Sequence, residues 1–194
     1  MNAIARLAPL ALIGSLALGF GVATRTPTAT AADAPSEEVK LVPVKYKDFL
    51  ARIAANKKAK LTVVDAWATW CGPCKENFPH LVEMHRKYAD KGLVAVSLSL
   101  DEIDKPKKIV EATAFLVEKN AKFANYILDE PTDEAFEKLD ITAIPAVFLF
   151  GPDGKEIKRF TLEDVNNLFT YEQVEEAVKA YLDGKPLPDT SPKK

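Results

Sequence analysis

The chain has 194 residues, 47% of them hydrophobic, with 26 lysines and arginines against 28 aspartates and glutamates for a formal net charge of -2. That is length and apolar content for one globular domain with a buried core. So even a balance, with pI near 5.8, speaks against nucleic acid or an anionic membrane surface as partner.

Arg6 precedes a stretch, Leu7–Ala23, of apolar or small residues interrupted by Pro9, Gly14, Gly19 and Gly21. A polar, small-residue segment follows, and Ala29-Thr30-Ala31 fits the small-x-small pattern of a signal-peptidase site. Residues 1–31 are therefore expected to be a secretory signal peptide cut after Ala31, and the protein to be exported, periplasmic or otherwise extracytoplasmic. The competing reading is an uncleaved membrane anchor. No cysteine follows the apolar stretch, which excludes a lipid anchor on an N-terminal cysteine. Residues 32–40, rich in Ala, Pro, Ser and Glu, read as a linker.

The folded domain is expected over 41–185. Tyr46, Phe49, Leu50 and Ile53 have helical spacing, which the basic run Lys57-Lys58-Ala59-Lys60 ends. Leu61–Trp67 is apolar except for Thr62 and Asp65 and predicts a central strand buried on both faces. A helix from about Pro73 to Tyr88 comes next, opened by proline at its first turn and expected to kink at Pro79. Leu93–Leu100 reads as a second buried strand, Asp104–Lys119 as a helix, Tyr126–Leu128 as a short strand and Thr132–Leu139 as a short helix. Ala146–Phe150 and Lys155–Phe160 form a hairpin across Pro152-Asp153-Gly154, where glycine suits a positive φ. Tyr171–Leu182 is a final amphipathic helix. Gly184, Pro186 and Pro188 end it, and 186–194 reads as a disordered tail. Strands alternating with helices imply parallel pairing, and the late hairpin adds antiparallel strands. The fold class is α/β, a mixed central sheet with helices on both faces.

The chain's two cysteines, Cys71 and Cys74, fall at the junction of the first central strand and its helix. A structural staple is a poor reading, because a bridge closing so small a loop stabilises little. Metal binding is another: Cys71, Cys74, His80 and His85 have a superficially suitable spacing. All four lie on or beside one helix, and at about 100° per residue the two histidines point about 140° apart. A tetrahedral site needs ligands converging from separate elements, so no metal and no other cofactor is expected. The third reading is a redox couple. Free amides and the dipole at a helix start favour negative charge, which stabilises a Cys71 thiolate, while Cys74, one turn in, points back toward the protein.

The segment Val64-Asp65-Ala66-Trp67-Ala68-Thr69-Trp70-Cys71-Gly72-Pro73-Cys74-Lys75 resembles the active-site segment of thioredoxins, and Thr142-Ala143-Ile144-Pro145-Ala146 resembles that family's cis-proline loop. The "WATWCGPC" wording and the extra residues Asp101–Asn125 are similar to the exported TlpA/ResA-like thioredoxins of bacteria. The resemblance implies a thioredoxin-like fold and a thiol–disulfide oxidoreductase acting in cell redox homeostasis. It makes Cys71 the nucleophile, Cys74 the resolving thiol, Asp65 a buried proton carrier and Pro145 a cis residue beside the sulfurs. Trp70, Gly72, Pro73 and the backbone of Ile144 would meet the substrate. Implied partners are protein disulfides or thiols and a membrane or soluble thiol electron donor. Gly-Pro between the cysteines points to a reductant by resemblance; an oxidant or isomerase, or a non-catalytic binding module, are the alternatives. The exported subfamily usually opens with an extra hairpin, whereas here a helix is expected before the first strand. Whether Asp101 or Glu102 reaches the cysteines is left open.

Overall fold

The computed structural model describes residues 38–162 and 168–189, all of them in a single unit. The expected signal peptide, most of the linker and residues 190–194 of the expected tail lie outside them. Past the last helix, Leu187 still packs against the core, and Lys158 Nζ donates to the Pro188 carbonyl at 3.0 Å.

The elements run β1 (Leu41–Val44), α1 (Tyr46–Ala55), β2 (Leu61–Trp67), α2 (Gly72–Tyr88), β3 (Leu93–Ser99), α3 (Pro106–Glu118), β4 (Ala124–Leu128), α4 (Thr132–Leu139), β5 (Ala146–Phe150), β6 (Glu156–Phe160) and α5 (Tyr171–Leu182). The strands make one mixed sheet in the order β1-β4-β3-β2-β5-β6. The first four are parallel, β5 runs antiparallel to its neighbour β2, and β6 runs antiparallel to β5. All seven residues of β2 are buried, as expected of a strand covered on both faces.

One element corrects the sequence reading: a strand, β1, precedes α1. Its Pro43 argues against a strand on sequence grounds, but β1 lies at the sheet edge and pairs on one side only, with β4, so a missing N–H is tolerated there. The extra residues after β3 supply α3, and the short strand expected at Tyr126–Leu128 is present as β4, inserted between β3 and β1. Helix α2 runs unbroken through Pro79; Pro79 and Lys75, whose carbonyl loses its donor, are both exposed, so water can satisfy that group.

Register sorts the sheet into two faces. Asp65, Ser97 and Asn125 align across β2, β3 and β4, and Ala66, Leu98 and Tyr126 align on the opposite side. On the Asp65 face, Trp67 meets Phe78 of α2 at 5.3 Å and Phe115 of α3 at 4.8 Å between ring centroids, and Tyr171 of α5 reaches Asp65. On the other, Phe49 of α1 meets Tyr126 at 5.9 Å. Arg159, lying over Phe148, donates to the Asp140 carbonyl at the end of α4. So α2, α3 and α5 cover one face and α1 and α4 the other. Trp67, Phe49 and Phe78 are among the largest fully buried side chains, each worth about 2 to 3 kcal/mol of burial. Of these, Trp67 and Phe78 meet each other and fix the helix that carries the cysteines. Among the described residues no helix is long and apolar enough to cross a membrane.

Candidate active site

Cys71 is the N-cap of α2, with extended backbone (φ -90°, ψ 100°), and Pro73 stands within the first turn. A residue in that place can accept from the helix's free amides. Cys71 Sγ does so: the Cys74 N–H points at it from 3.2 Å. The two cysteines are joined in a disulfide, with Cα atoms 5.3 Å apart. The sulfur-bearing residues are unequally enclosed, Cys71 being 5% exposed and Cys74 1%. Cys71 therefore presents only a narrow edge to solvent, while Gly72 and Pro73 are exposed and Trp70 is 53% exposed beside it.

The Ile144–Pro145 peptide is cis. It brings the Ile144 carbonyl to 3.6 Å from Cys71 Sγ. In the disulfide that sulfur carries no proton, so this approach is a contact and not a hydrogen bond. Two loops from distant parts of the sequence thus meet at one sulfur.

The loop ahead of Cys71 is pinned from β3. Asp101, fully buried, accepts from the Thr69 N–H at 3.0 Å, the Thr69 hydroxyl at 2.6 Å and the Ser99 hydroxyl at 2.8 Å. This answers what the acids after β3 do. Asp101 holds the backbone two residues before Cys71, whereas Glu102 is exposed and lies on the wall of a cleft. That cleft, about 740 Å³, is lined among others by Trp70, Glu102, Ile103, Asp104, Pro131 and Phe136.

Asp65 lies in mid-strand and is 1% exposed. Burial in low dielectric penalises its charged form and pushes the carboxyl up to about 7. Opposing that, the Tyr171 hydroxyl donates to the carboxylate, 3.0 Å from Oδ1 and 2.9 Å from Oδ2. The result is a group poised to gain or lose a proton near neutrality. His80 and His85 do not approach the sulfurs as ligands: His80 stacks on Tyr171, and His85 packs edge-on against Phe123, burial holding its ring below the usual histidine range. Among the described residues no three His, Cys, Asp or Glu side chains are grouped to hold a metal.

The family model for Redoxin matches residues 30–178, well over half of the chain. The chain belongs to the Redoxin family. This redoxin is 29% identical over 136 residues to the thiol-disulfide oxidoreductase ResA of Bacillus thuringiensis subsp. konkukian, a match covering 70% of this chain and 67% of that protein. To ResA of Bacillus subtilis it is 28% identical over 108 residues, covering 55% of this chain and 56% of that one. Among solved structures it resembles a protein described as thiol:disulfide interchange protein DsbE from Chlorobium tepidum, at TM-score 0.52 and 27% identity, covering 66% of this chain and 84% of that chain.

Of the residues singled out from the sequence, Trp70, Cys71, Gly72, Pro73, Cys74, Ile144 and Pro145 gather around one disulfide. Asp65 lies deeper in the redoxin, in the sheet beneath α5. Two supporting residues were not singled out. The sequence marks Asp101 as an acid after β3 and gives it no role. Tyr171 carried one usable signal, the Thr170-x-x-Gln173 capping box, which the structure contains in full and which fixes Tyr171 at the first turn of α5. Nothing local to that turn points to a carboxylate 106 residues away.

Proposed function

We propose that this redoxin is an exported thiol–disulfide oxidoreductase that reduces disulfides in partner proteins through Cys71 and Cys74. The observation that carries the reading is the placement of Cys71 Sγ. It caps α2, faces the Cys74 amide and stands beside the cis-proline loop, with an exposed tryptophan adjacent.

In the reduced form the same amide and the helix dipole favour a Cys71 thiolate. That thiolate attacks one sulfur of a partner disulfide, forms a mixed disulfide and releases the partner's other sulfur as a thiolate. Cys74 then attacks Cys71 Sγ. The Cys71–Cys74 bond forms, the partner leaves as a dithiol, and two electrons have passed to it. Asp65 takes the proton that Cys74 loses. A membrane or soluble thiol donor restores the dithiol. Trp70, Gly72 and Pro73 form the exposed contact surface, and the Ile144 backbone pairs with an extended substrate segment. The names of the ResA relatives and of the DsbE neighbour support the chemistry. Export rests on the sequence of residues 1–31, and the reducing direction on the resemblance of the Gly-Pro dipeptide.

A Cys74→Ala variant tests the reading. It holds partner proteins as mixed disulfides through Cys71, and Cys71→Ala abolishes both trapping and the catalysed reduction of insulin by dithiothreitol. Equal insulin reduction by wild type and Cys71→Ala rejects the enzyme. Direction is read from the reduction potential. A value near thioredoxin's, about -270 mV, supports a reductant, and one near DsbA's, about -120 mV, makes the protein an oxidant.

A further inference from the structure

Asp65 has a single hydrogen-bonding side chain facing it among the described residues, and it comes from the far end of the chain. We infer that Tyr171 is a positioning residue for Asp65, its hydroxyl bridging both carboxylate oxygens and holding Asp65 in a form that can pass a proton. The inference rests on the proposed role of Asp65 in resolution.

The geometry is specific. Tyr171 is 3% exposed, and its hydroxyl lies within 3.0 Å of both Asp65 oxygens. One phenolic proton is thus shared across the carboxylate. A donor to the ionised form favours that form and opposes the penalty of burial. Burial and the nearby carboxylate in turn hold the Tyr171 phenol well above the usual tyrosine range, so it stays protonated and remains a donor. Buried among apolar strands and without that donor, Asp65 would stay protonated well past neutrality and be useless as an acceptor.

The chain holds Tyr171 in place by three separate contacts. The reciprocal cap, Thr170 N–H to Gln173 Oε1 at 2.9 Å and Gln173 N–H to Thr170 Oγ1 at 3.4 Å, fixes the first turn of α5. Phe169 packs on the ring from one side, with centroids 5.7 Å apart. His80 of α2 stacks on it at 5.5 Å and 27°. His80 is thus the titratable group that α2 brings to the pair, six residues beyond Cys74. From α5 itself come Glu172 and Glu175, both of which feel the His80 charge. The flanking strands offer Ser97 and Val147 in register with Asp65, neither of them ionisable. The contact from His80 means that the helix bearing the cysteines packs directly on the side chain that holds Asp65.

The test is the Tyr171→Phe variant, which keeps the ring and removes the hydroxyl. The protonation of Asp65 is followed by its carboxyl infrared band, identified by its loss in Asp65→Asn. The midpoint of that band is expected to move to higher pH by about one to two pH units. The pH profile of insulin reduction should move in the same direction. Incorporation of 3-fluorotyrosine gives a more acidic phenol and a stronger donor without deleting any contact. It should move the band to lower pH, and it keeps the test decisive if Tyr171→Phe folds poorly. A band unmoved in either protein, or moved the other way, overturns the inference and leaves Tyr171 as packing. A band that moves while the activity profile stays fixed supports Tyr171 as the residue that sets Asp65. That outcome overturns instead the proposed part of Asp65 in resolution.

Discussion

Asp65 works against the stability of the fold that holds it. Its carboxyl titrates near the ordinary aspartate value of 3.8 in an unfolded chain and at about 7 in the folded one. Between those values the unfolded chain releases the proton while the folded protein keeps it. Stability therefore falls as pH rises from about 4 to about 7 and levels off above. Asp65→Asn removes that loss and keeps a partner for Tyr171. Its stability advantage over wild type should be smallest near pH 4 and grow by about 4 kcal/mol by pH 8, read from urea midpoints across that range. An advantage that does not change with pH would show that Asp65 is ionised alike in both states. A group so costly is intelligible as chemistry more than as architecture. Asp65 was legible in the sequence because a single acid interrupts an apolar strand; its partner Tyr171 was not, since the contact exists only once α5 has docked.

At the scale of elements, the turn from β2 into α2 places the sulfurs, and it is held from outside itself. Asp101, just past β3, ties down Thr69 and thereby the chain two residues before Cys71. Replacing Asp101 with Ala leaves the Thr69 amide and two hydroxyls without their acceptor. That should cost about 3 kcal/mol in chemical denaturation and slow insulin reduction by loosening the Cys71 loop. A variant as stable and as active as wild type would mean that the turn holds its shape without Asp101. The sequence showed acids after β3 but not their target, because strand pairing alone brings residues 69 and 101 together. The hairpin turn was more readable. Gly154 has φ +77°, and a Cβ there would come within 2.5 Å of Ala54 Cβ, so both backbone and packing require glycine. The missed strand β1 is the opposite case, since Pro43 hid a strand whose edge position makes proline harmless.

Across the whole molecule, alternating strands and helices gave the layered α/β architecture, and the largely apolar runs of β2 and β3 marked the centre of the sheet. Sheet order was not legible. The added helix within Asp101–Asn125 and the short strand after it were both readable, but not that this strand, β4, separates β1 from β3, because the side on which a crossover returns its next strand is settled only when the sheet assembles. The site is assembled at one end of that sheet from the β2–α2 junction, the loop after β3 and the cis-proline loop before β5. Its working parts are therefore spread over most of the domain, while its reactive bond joins cysteines three positions apart.

The account's central claim is that the start of α2 makes Cys71 a thiolate at neutral pH. The direct measurement is the ultraviolet thiolate titration of Cys71 in the Cys74→Ala protein, where it is the only thiol left. The account predicts an inflection at least one pH unit below the ordinary thiol value of about 8.5. An inflection at or above that value would contradict it.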